Sequence, residues 1–267
     1  MRIKILLFII LFNILLLTSF RGFDFENKTI VNSLHVTSIP VYCVMITGYH
    51  EDRKTFANVS VRNFNEQSYQ NKHLIILNQS KTPVVDRESD NILELFIDTM
   101  VLGKLRNMAL EFVPPNAIWT TWDDDDYRHP SYLETFMTKF LENDSIDFLL
   151  FQNRLEYNLK TKFAFKMTLK SGFMTFFSKR INRLKYDELS SMEDVIVKKT
   201  ALQKYNYVVI DNDPRMYLRF THNSNTSTYV NPNKKSLKDT RKNQDYFEKK
   251  VNSIEQKYIA EILSNYY

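Results

Sequence analysis

The chain has a single cysteine, Cys43, and only four glycines in 267 residues. One thiol excludes an intrachain disulfide, so a secreted disulfide scaffold is ruled out and packing alone must hold the fold. Scarce glycine leaves no stretch from which a phosphate-cradling Gly-rich loop could be drawn, which argues against P-loop and dinucleotide-binding folds. Charge of neither sign dominates. The formal net charge is +5, and Lys and Arg are spread along the chain except in "NKKSLKDTRKNQ", which reads as a solvated linker, so no nucleic-acid partner is expected. There is no internal repeat. What remains is a composition 43% hydrophobic, 14% aromatic and 25% charged, which fits a globular protein of one or two domains with ample core.

"MRIK" followed by an uncharged apolar run over residues 5–20 opens the chain. A full membrane span needs about 20 residues, so the run lies between a cleaved signal and a short anchor. No small-x-small cleavage pattern follows it, which favours an uncleaved signal-anchor. Positive charge ahead of the run would keep that end cytoplasmic and place the rest on the lumenal or extracytoplasmic side, a single-pass type II arrangement. The expected division is a signal-anchor or signal peptide over 1–23, a stem over 24–39, a domain over 40–230, and a basic linker with an amphipathic helix over 231–267. Sequons begin at Asn27, Asn58, Asn78, Asn143 and Asn225, and only Asn27, in the stem, is read as a glycan site.

From Pro40 the pattern alternates. "VYCVMIT" is a short continuous apolar run, as in a strand buried on both faces. "TFANVSVRNFNEQSY" then has helical spacing, "HLIIL" is a second buried strand, and "ILELFID" a weaker one. "LGKLRNMALEFV" lines Leu102, Leu105, Ala109 and Phe112 on one helix face, and "AIWTTW" is the next strand. This alternation predicts an α/β unit with a parallel sheet. "HPSYLETFMTKFL" and "SSMEDVIVKKTAL" read as helices, the second capped by Ser190 or Ser191 with acids in its first turn. "IDFLLFQN", "KFAFKMTL", "GFMTFFS", "YVVI" and "MYLRFTH" read as strands continuing the same sheet. "DYFEKKVNSIEQKYIAEIL" spaces Phe247, Val251, Ile254, Tyr258 and Ile262 as one amphipathic helix.

Four consecutive aspartates, Asp123 to Asp126, follow the strand "AIWTTW". Adjacent carboxylates repel, so either they face water or something positive sits among them. Ligands of parallel α/β sheets bind beyond the carboxyl ends of the strands, where this cluster stands. Asp123 and Asp125 are alternate residues and can present two carboxylates on one side, a donor type suited to Mg²⁺ or Mn²⁺. A solvated acidic turn is the plain alternative. An EF-hand is excluded, because its glycine and its twelve-residue ligand spacing are missing.

With its apolar strand, Asp123, Asp125, Asp126 and Pro130, this segment resembles the D-x-D-D motif of the family 2 glycosyltransferases. Upstream, "SVRNFNEQSYQNKHLIILNQS" resembles that family's helix-to-strand segment through Gln67, Tyr69 and Asn71. "LGKLRNMAL" resembles its G-x-x-x-A-R-N helix start through Gly103, Arg106 and Asn107. "MEDVIV" is similar to its Glu-Asp motif, and "LRFTHNSNTS" to a late His-containing strand. The likeness runs in order over residues 40–230.

The resemblance implies a GT-A (nucleotide-diphospho-sugar transferase-like) fold, with a mixed, mostly parallel central sheet flanked by helices. It implies a Mn²⁺- or Mg²⁺-dependent inverting transfer from a UDP- or GDP-linked sugar to a glycan or glycoconjugate hydroxyl. Asp125 and His222 would hold the metal. Asp123, Asp124, Lys104, Arg106 and Thr47 would contact the sugar nucleotide. Asp194 would be the general base, with Glu193 beside it. Gly172 would let backbone approach the sugar, on which Trp119 and Trp122 could stack, although core packing is the favoured reading for at least Trp119. Where the family has Asp-Asp-x-Ser after its second strand this chain has "NQS", leaving Asn78 to offer an amide to the base. Two other readings stay open: a nucleotidyltransferase or phosphohydrolase using the Asp cluster, and a non-catalytic glycan-binding protein on the same fold.

Overall fold

The computed structural model describes residues 39–48, 51–80, 82–85, 89–115, 117–173, 177–179, 185–190, 193–222 and 246–266. The N-terminal apolar run, the stem with Asn27, Ser191, Asn225 and the basic linker lie outside them. Among the described residues no helix is long and apolar enough to cross a membrane.

The first half is a regular alternation. Strand β1 (Val41–Thr47) leads to helix α1 (Glu51–Asn65), β2 (Lys72–Asn78), β3 (Ile92–Phe96), α2 (Leu102–Leu110) and β4 (Ile118–Thr121). These strands are all parallel, with Thr47 of β1 level with Asn78 of β2 and Val44 level with Thr121 of β4. β6 (Phe148–Phe151), β9 (Phe177–Lys179) and β10 (Tyr207–Ile210) complete a seven-stranded sheet in the order β10-β6-β9-β4-β1-β2-β3. Only β9 runs antiparallel to its neighbours.

The continuous apolar runs of β1 and β2 are explained by burial on both faces. Alternate residues of β1 serve opposite sides. Val41, Cys43 and Met45 pack with Ala57, Val61 and Phe64 of α1 and with Leu133, Phe136 and Phe140 of α3 (Tyr132–Leu141). Tyr42 and Val44 pack with Leu105 and Ala109 of α2 and with Val197 and Ala201 of α4 (Glu193–Lys204). The result is a three-layer helix–sheet–helix sandwich in which each large apolar side chain contributes about 1.5–3 kcal/mol.

The later strands do not all continue this sheet. β5 (Asp126–Arg128), β7 (Asn153–Asn158), β8 (Phe163–Leu169), β11 (Tyr217–Thr221) and β12 (Tyr246–Lys250) form a second sheet in the order β12-β8-β7-β11-β5. Immediately after the aspartates the chain leaves β4 and pairs antiparallel with β11. The acidic turn is therefore the junction between the sheets. β7, "NRLEYN", alternates only Leu155 and Tyr157 toward the core, and on its other face Glu156 is buried and paired with Arg154.

The expected single C-terminal helix is instead a strand and a helix. β12 pairs antiparallel with β8, and only α5 (Ser253–Tyr266) is helical. The break is at Asn252, whose side chain accepts from the Glu255 amide while Glu255 accepts from the Asn252 amide, a reciprocal capping box. This shifts the buried face: Glu255, Ile259 and Ile262 point inward while Ile254 is exposed. α5 covers Tyr127, Leu155, Leu218 and Phe220 of the second sheet.

Candidate active site

β1 and β2 end together, β4 ends level with Val44 of β1, and the acidic turn lies beyond the carboxyl end of β4. α1 fixes that turn. Ser60 donates to the Asp123 carbonyl and accepts, through its own carbonyl, from the Trp122 indole. Asn63 makes a two-way amide clasp on the Arg128 backbone, at 2.7 and 2.9 Å. Gln67 donates to the His129 carbonyl and accepts from Leu133, so the glutamine of the helix-to-strand segment is a structural clamp. Trp119 and Trp122 are both buried. Trp122 meets Phe64 and Tyr132 edge-on with Arg128 over its ring, so neither indole offers a face to a sugar. Gly172 is likewise used internally: its φ is +80° and an added Cβ would lie 2.5 Å from Leu150 Cβ, a position suited to glycine.

Three of the four carboxylates are buried, and Asp123 is partly exposed. They are balanced by guanidinium groups rather than by water alone. Arg53 of α1 reaches Asp124 through Nη2 and through Nε at 3.2 Å, and Asp125 Oδ2 through Nη1 at 2.9 Å. Arg106 of α2 lies 3.6 Å from Asp123 and 3.0 Å from Glu193. Arg128 is wholly buried between Trp122 and Tyr217, 3.9 Å from Asp123. Arg219 of β11 stands between Glu156, 4.0 Å away, and the charges of Asp125 and Asp126.

His222, just past β11, points its Nε2 at Asp125 Oδ2 from 3.2 Å and stacks on Phe56. Asp126 is turned inward, accepting from the Tyr217 hydroxyl and from the Phe220 amide at 3.1 Å. Its role is to join β5 to β11. Burial and the neighbouring Asp125 charge push the carboxyls of Asp124 and Asp126 upward. Asp125 goes the other way. Burial opposes its ionisation, but the His222 hydrogen bond and the charges of Arg53, His222 and Arg219 together hold it at about 2.

The structure thus brings Asp123, Asp124, Asp125, Thr47 and His222 into one cluster, with the Thr47 hydroxyl bonded to Asp124, and links them through Arg106 to Glu193 and Asp194. Asp124 itself is enclosed by its partners and offers no open oxygen face. Glu193 is buried, and burial with the adjacent Asp194 charge raises its carboxyl against the pull of Arg106. Asp194 is partly exposed and accepts from the Val195 amide at 2.8 Å.

Asn78 and Lys104 stand apart. The Asn78 amide donates to the Thr82 carbonyl and to Glu94 of β3 at 2.6 Å. Glu94 in turn accepts from the amides of Val84 and Val85, so the pair orders the loop after β2. Lys104 is exposed on the first turn of α2. Arg53 and Arg219 are the site residues that pattern reading missed; nothing in their spacing marks them, since both act across the fold from the acids they neutralise.

Neither a family model nor a curated protein matches the chain. Solved structures do. Residues 1–349 of S. aureus TarS match with a TM-score of 0.51 and 15% identity over 67% of this chain and 60% of that one. The same protein in complex with UDP matches with a TM-score of 0.52 and 14% identity, over 68% and 61%. Mannosyltransferase PcManGT from Pyrobaculum calidifontis, in complex with GDP-Man and Mn²⁺, matches with a TM-score of 0.50 and 12% identity, over 70% and 58%. The chain spans about three fifths of the length of these relatives. At such identities the likeness concerns the fold, and the fold is the α/β architecture of GT-A glycosyltransferases, a mixed central sheet flanked by helices.

Proposed function

We propose that the chain is a metal-dependent, inverting glycosyltransferase of family 2 type that moves a sugar from a nucleoside diphosphate to a glycan hydroxyl. The observation that carries the reading is the convergence of Asp125 and His222 on one point beyond the parallel strands, with Arg106 joining the neighbouring Asp123 to the first turn of α4. The donor classes named for the similar structures, UDP and GDP-mannose, supply the candidates.

The donor set fits a hard dication such as Mn²⁺ or Mg²⁺. Asp125 offers an ionised carboxylate and His222 an imidazole nitrogen. Among the described residues no group of three or more His, Cys, Asp or Glu forms a ready-made cage. A site with few protein ligands matches metals that take the remaining oxygens from phosphate and water. When bound, the dication offsets charge developing on the leaving diphosphate.

The chain's own residues perform the rest. Asp123, partly open, faces the ribose side, and Thr47 lies at the mouth of β1. Asp194 takes the acceptor's proton as its oxygen attacks the anomeric carbon. The bond from that carbon to the phosphate oxygen breaks in the same displacement, so the nucleoside diphosphate departs from the opposite face and the configuration inverts. Glu193, paired with Arg106, holds the start of α4.

The test is release of nucleoside diphosphate from a panel of UDP- and GDP-sugars by the full chain, with product glycoside identified. Activity that needs Mn²⁺ or Mg²⁺ and is lost in Asp125→Asn and Asp194→Asn is expected. Formation of pyrophosphate or free phosphate in place of a glycoside, or turnover untouched by chelator, would overturn the reading.

A further inference from the structure

The outer strand of a sheet leaves a row of amides and carbonyls open to a further strand, and natural proteins guard such edges with charge, proline, short strands or a cover. Among the described residues the two sheets have four edges. β3 has Glu94 at its centre, bound to the amides of Val84 and Val85 in the loop after β2. β12 carries Glu248, Lys249 and Lys250. β5 is three residues long, with Asp126 and Arg128, and Pro130 follows it. β10 has none of these guards: "YVVI" is uncharged, and Tyr207 and Val208 are 45% and 37% exposed.

The direction of its open groups follows from the parallel pairing with β6. The Asn206 carbonyl accepts from the amides of Asp147 and Phe148, and the Ile210 carbonyl from that of Gln152. The even-numbered residues therefore turn toward β6, and by alternation Tyr207 and Val209 present amide and carbonyl outward. An incoming antiparallel strand must match that spacing. A second β10 does so about a two-fold axis at Val208, which sets Tyr207 of each copy opposite Val209 of the other, an aromatic pair with a β-branched residue of the kind that stabilises sheets. The same axis brings the end with exposed Lys204 against the end with exposed Asp211, so the flanking charges attract across it. We propose that β10 is a homodimer edge, joining the seven-stranded sheets of two copies antiparallel across Val208. None of the residues assigned to sugar transfer lies in this edge, so it stands apart from the reaction proposed above.

Only Val208 meets its own copy on this axis. In an antiparallel pair without mutual hydrogen bonds the facing Cα atoms are about 4.5 Å apart, within disulfide reach, whereas Tyr207 lies about 8 Å from its counterpart. Cys43 is buried and does not compete. The full chain in mild detergent, carrying Val208→Cys, is expected to give a disulfide-linked dimer on oxidation, and Tyr207→Cys, at a comparably exposed position, to remain mostly monomer. In sedimentation the wild type is expected to dimerise reversibly. Val208→Lys, which sets like charges face to face, should raise the dimer dissociation constant about fivefold or more. A wild type that sediments as a monomer throughout its soluble range would overturn the proposal, whatever the variants do. Equal cross-linking at the two positions, or a dimer undiminished by Val208→Lys, would put the contact elsewhere and overturn it too. So would a monomer whose Tyr207 and Val209 amides resist hydrogen exchange, which would assign the edge to another segment of the same chain.

Discussion

Arg106 Nε lies 3.0 Å from Glu193 Oε1, tying the middle of α2 to the first residue of α4. Both side chains are largely withdrawn from water, and the same guanidinium faces Asp123 and the Tyr186 ring. The contact couples the acidic turn to the acid pair at the start of α4.

Removing one partner of such a pair strands the other. Arg106→Met is expected to cost about 3–5 kcal/mol, read as a fall in thermal midpoint, and to reduce transfer at least about tenfold. Glu193→Gln, which retains an acceptor for Arg106, should cost less. A double-mutant cycle on the two positions measures the coupling.

Gly103 is fixed by the 185–190 segment packed beside it on the same face of the sheet. An added Cβ would lie 1.7 Å from the Asp187 carbonyl oxygen, and the Gly103 amide already donates to the Leu189 carbonyl at 2.9 Å. Gly103→Ala must push the 185–190 segment away from α2, with an expected loss of about 1–3 kcal/mol or more. Hydrogen exchange at the Gly103 and Tyr186 amides should accelerate, because the Asn107 clasp on Tyr186, at 2.8 Å in both directions, would be disturbed with it.

The Tyr186 hydroxyl is buried with no hydrogen-bond partner among the described residues. Tyr186→Phe therefore removes an unsatisfied group and should leave the thermal midpoint unchanged or raise it. Tyr217→Phe is the contrast: its hydroxyl bonds Asp126 and lies 3.2 Å from Asp123, and its loss should cost about 1–3 kcal/mol. Equal effects of the two substitutions would contradict this assignment.

Burial lowers the His73 imidazole, which stacks on Tyr42 with ring centroids 4.8 Å apart. In the unfolded chain it titrates near about 6.5. Between that pH and the lower folded value the unfolded state binds more protons, so acidification favours unfolding. Its contribution is intact above the unfolded value and is lost as pH falls below it. The thermal midpoint should drop between about pH 7.5 and 5.5, and His73→Gln should flatten that slope.

Legibility followed burial. The first three parallel strands and the helices between them could be read because β1 and β2 are apolar on both faces and α2 and α3 on one. β7 escaped because only Leu155 and Tyr157 alternate as apolar positions, while its opposite face carries the buried Glu156, one oxygen of which pairs with Arg154. β12 was read as helix because Phe247 and Val251 are spaced for a helix, while pairing with β8 outweighs that local preference. In the site, Asp125 and His222 could be paired from motif order alone. Arg53 could not, since its meaning depends on Asp124 and Asp125, and the distance between them in sequence carries no periodicity.

Asp126 accepts its hydrogen bonds from the Tyr217 hydroxyl and the Phe220 amide, groups synthesised more than ninety residues after it. A growing polypeptide therefore carries Asp126 without these partners until β11 emerges, whereas Arg53 and Arg106 precede the acids they pair with, and loop closure of that length is slow. Refolding should finish with the docking of the two sheets, and salt should hasten that last phase by screening the Asp126 carboxylate while it waits.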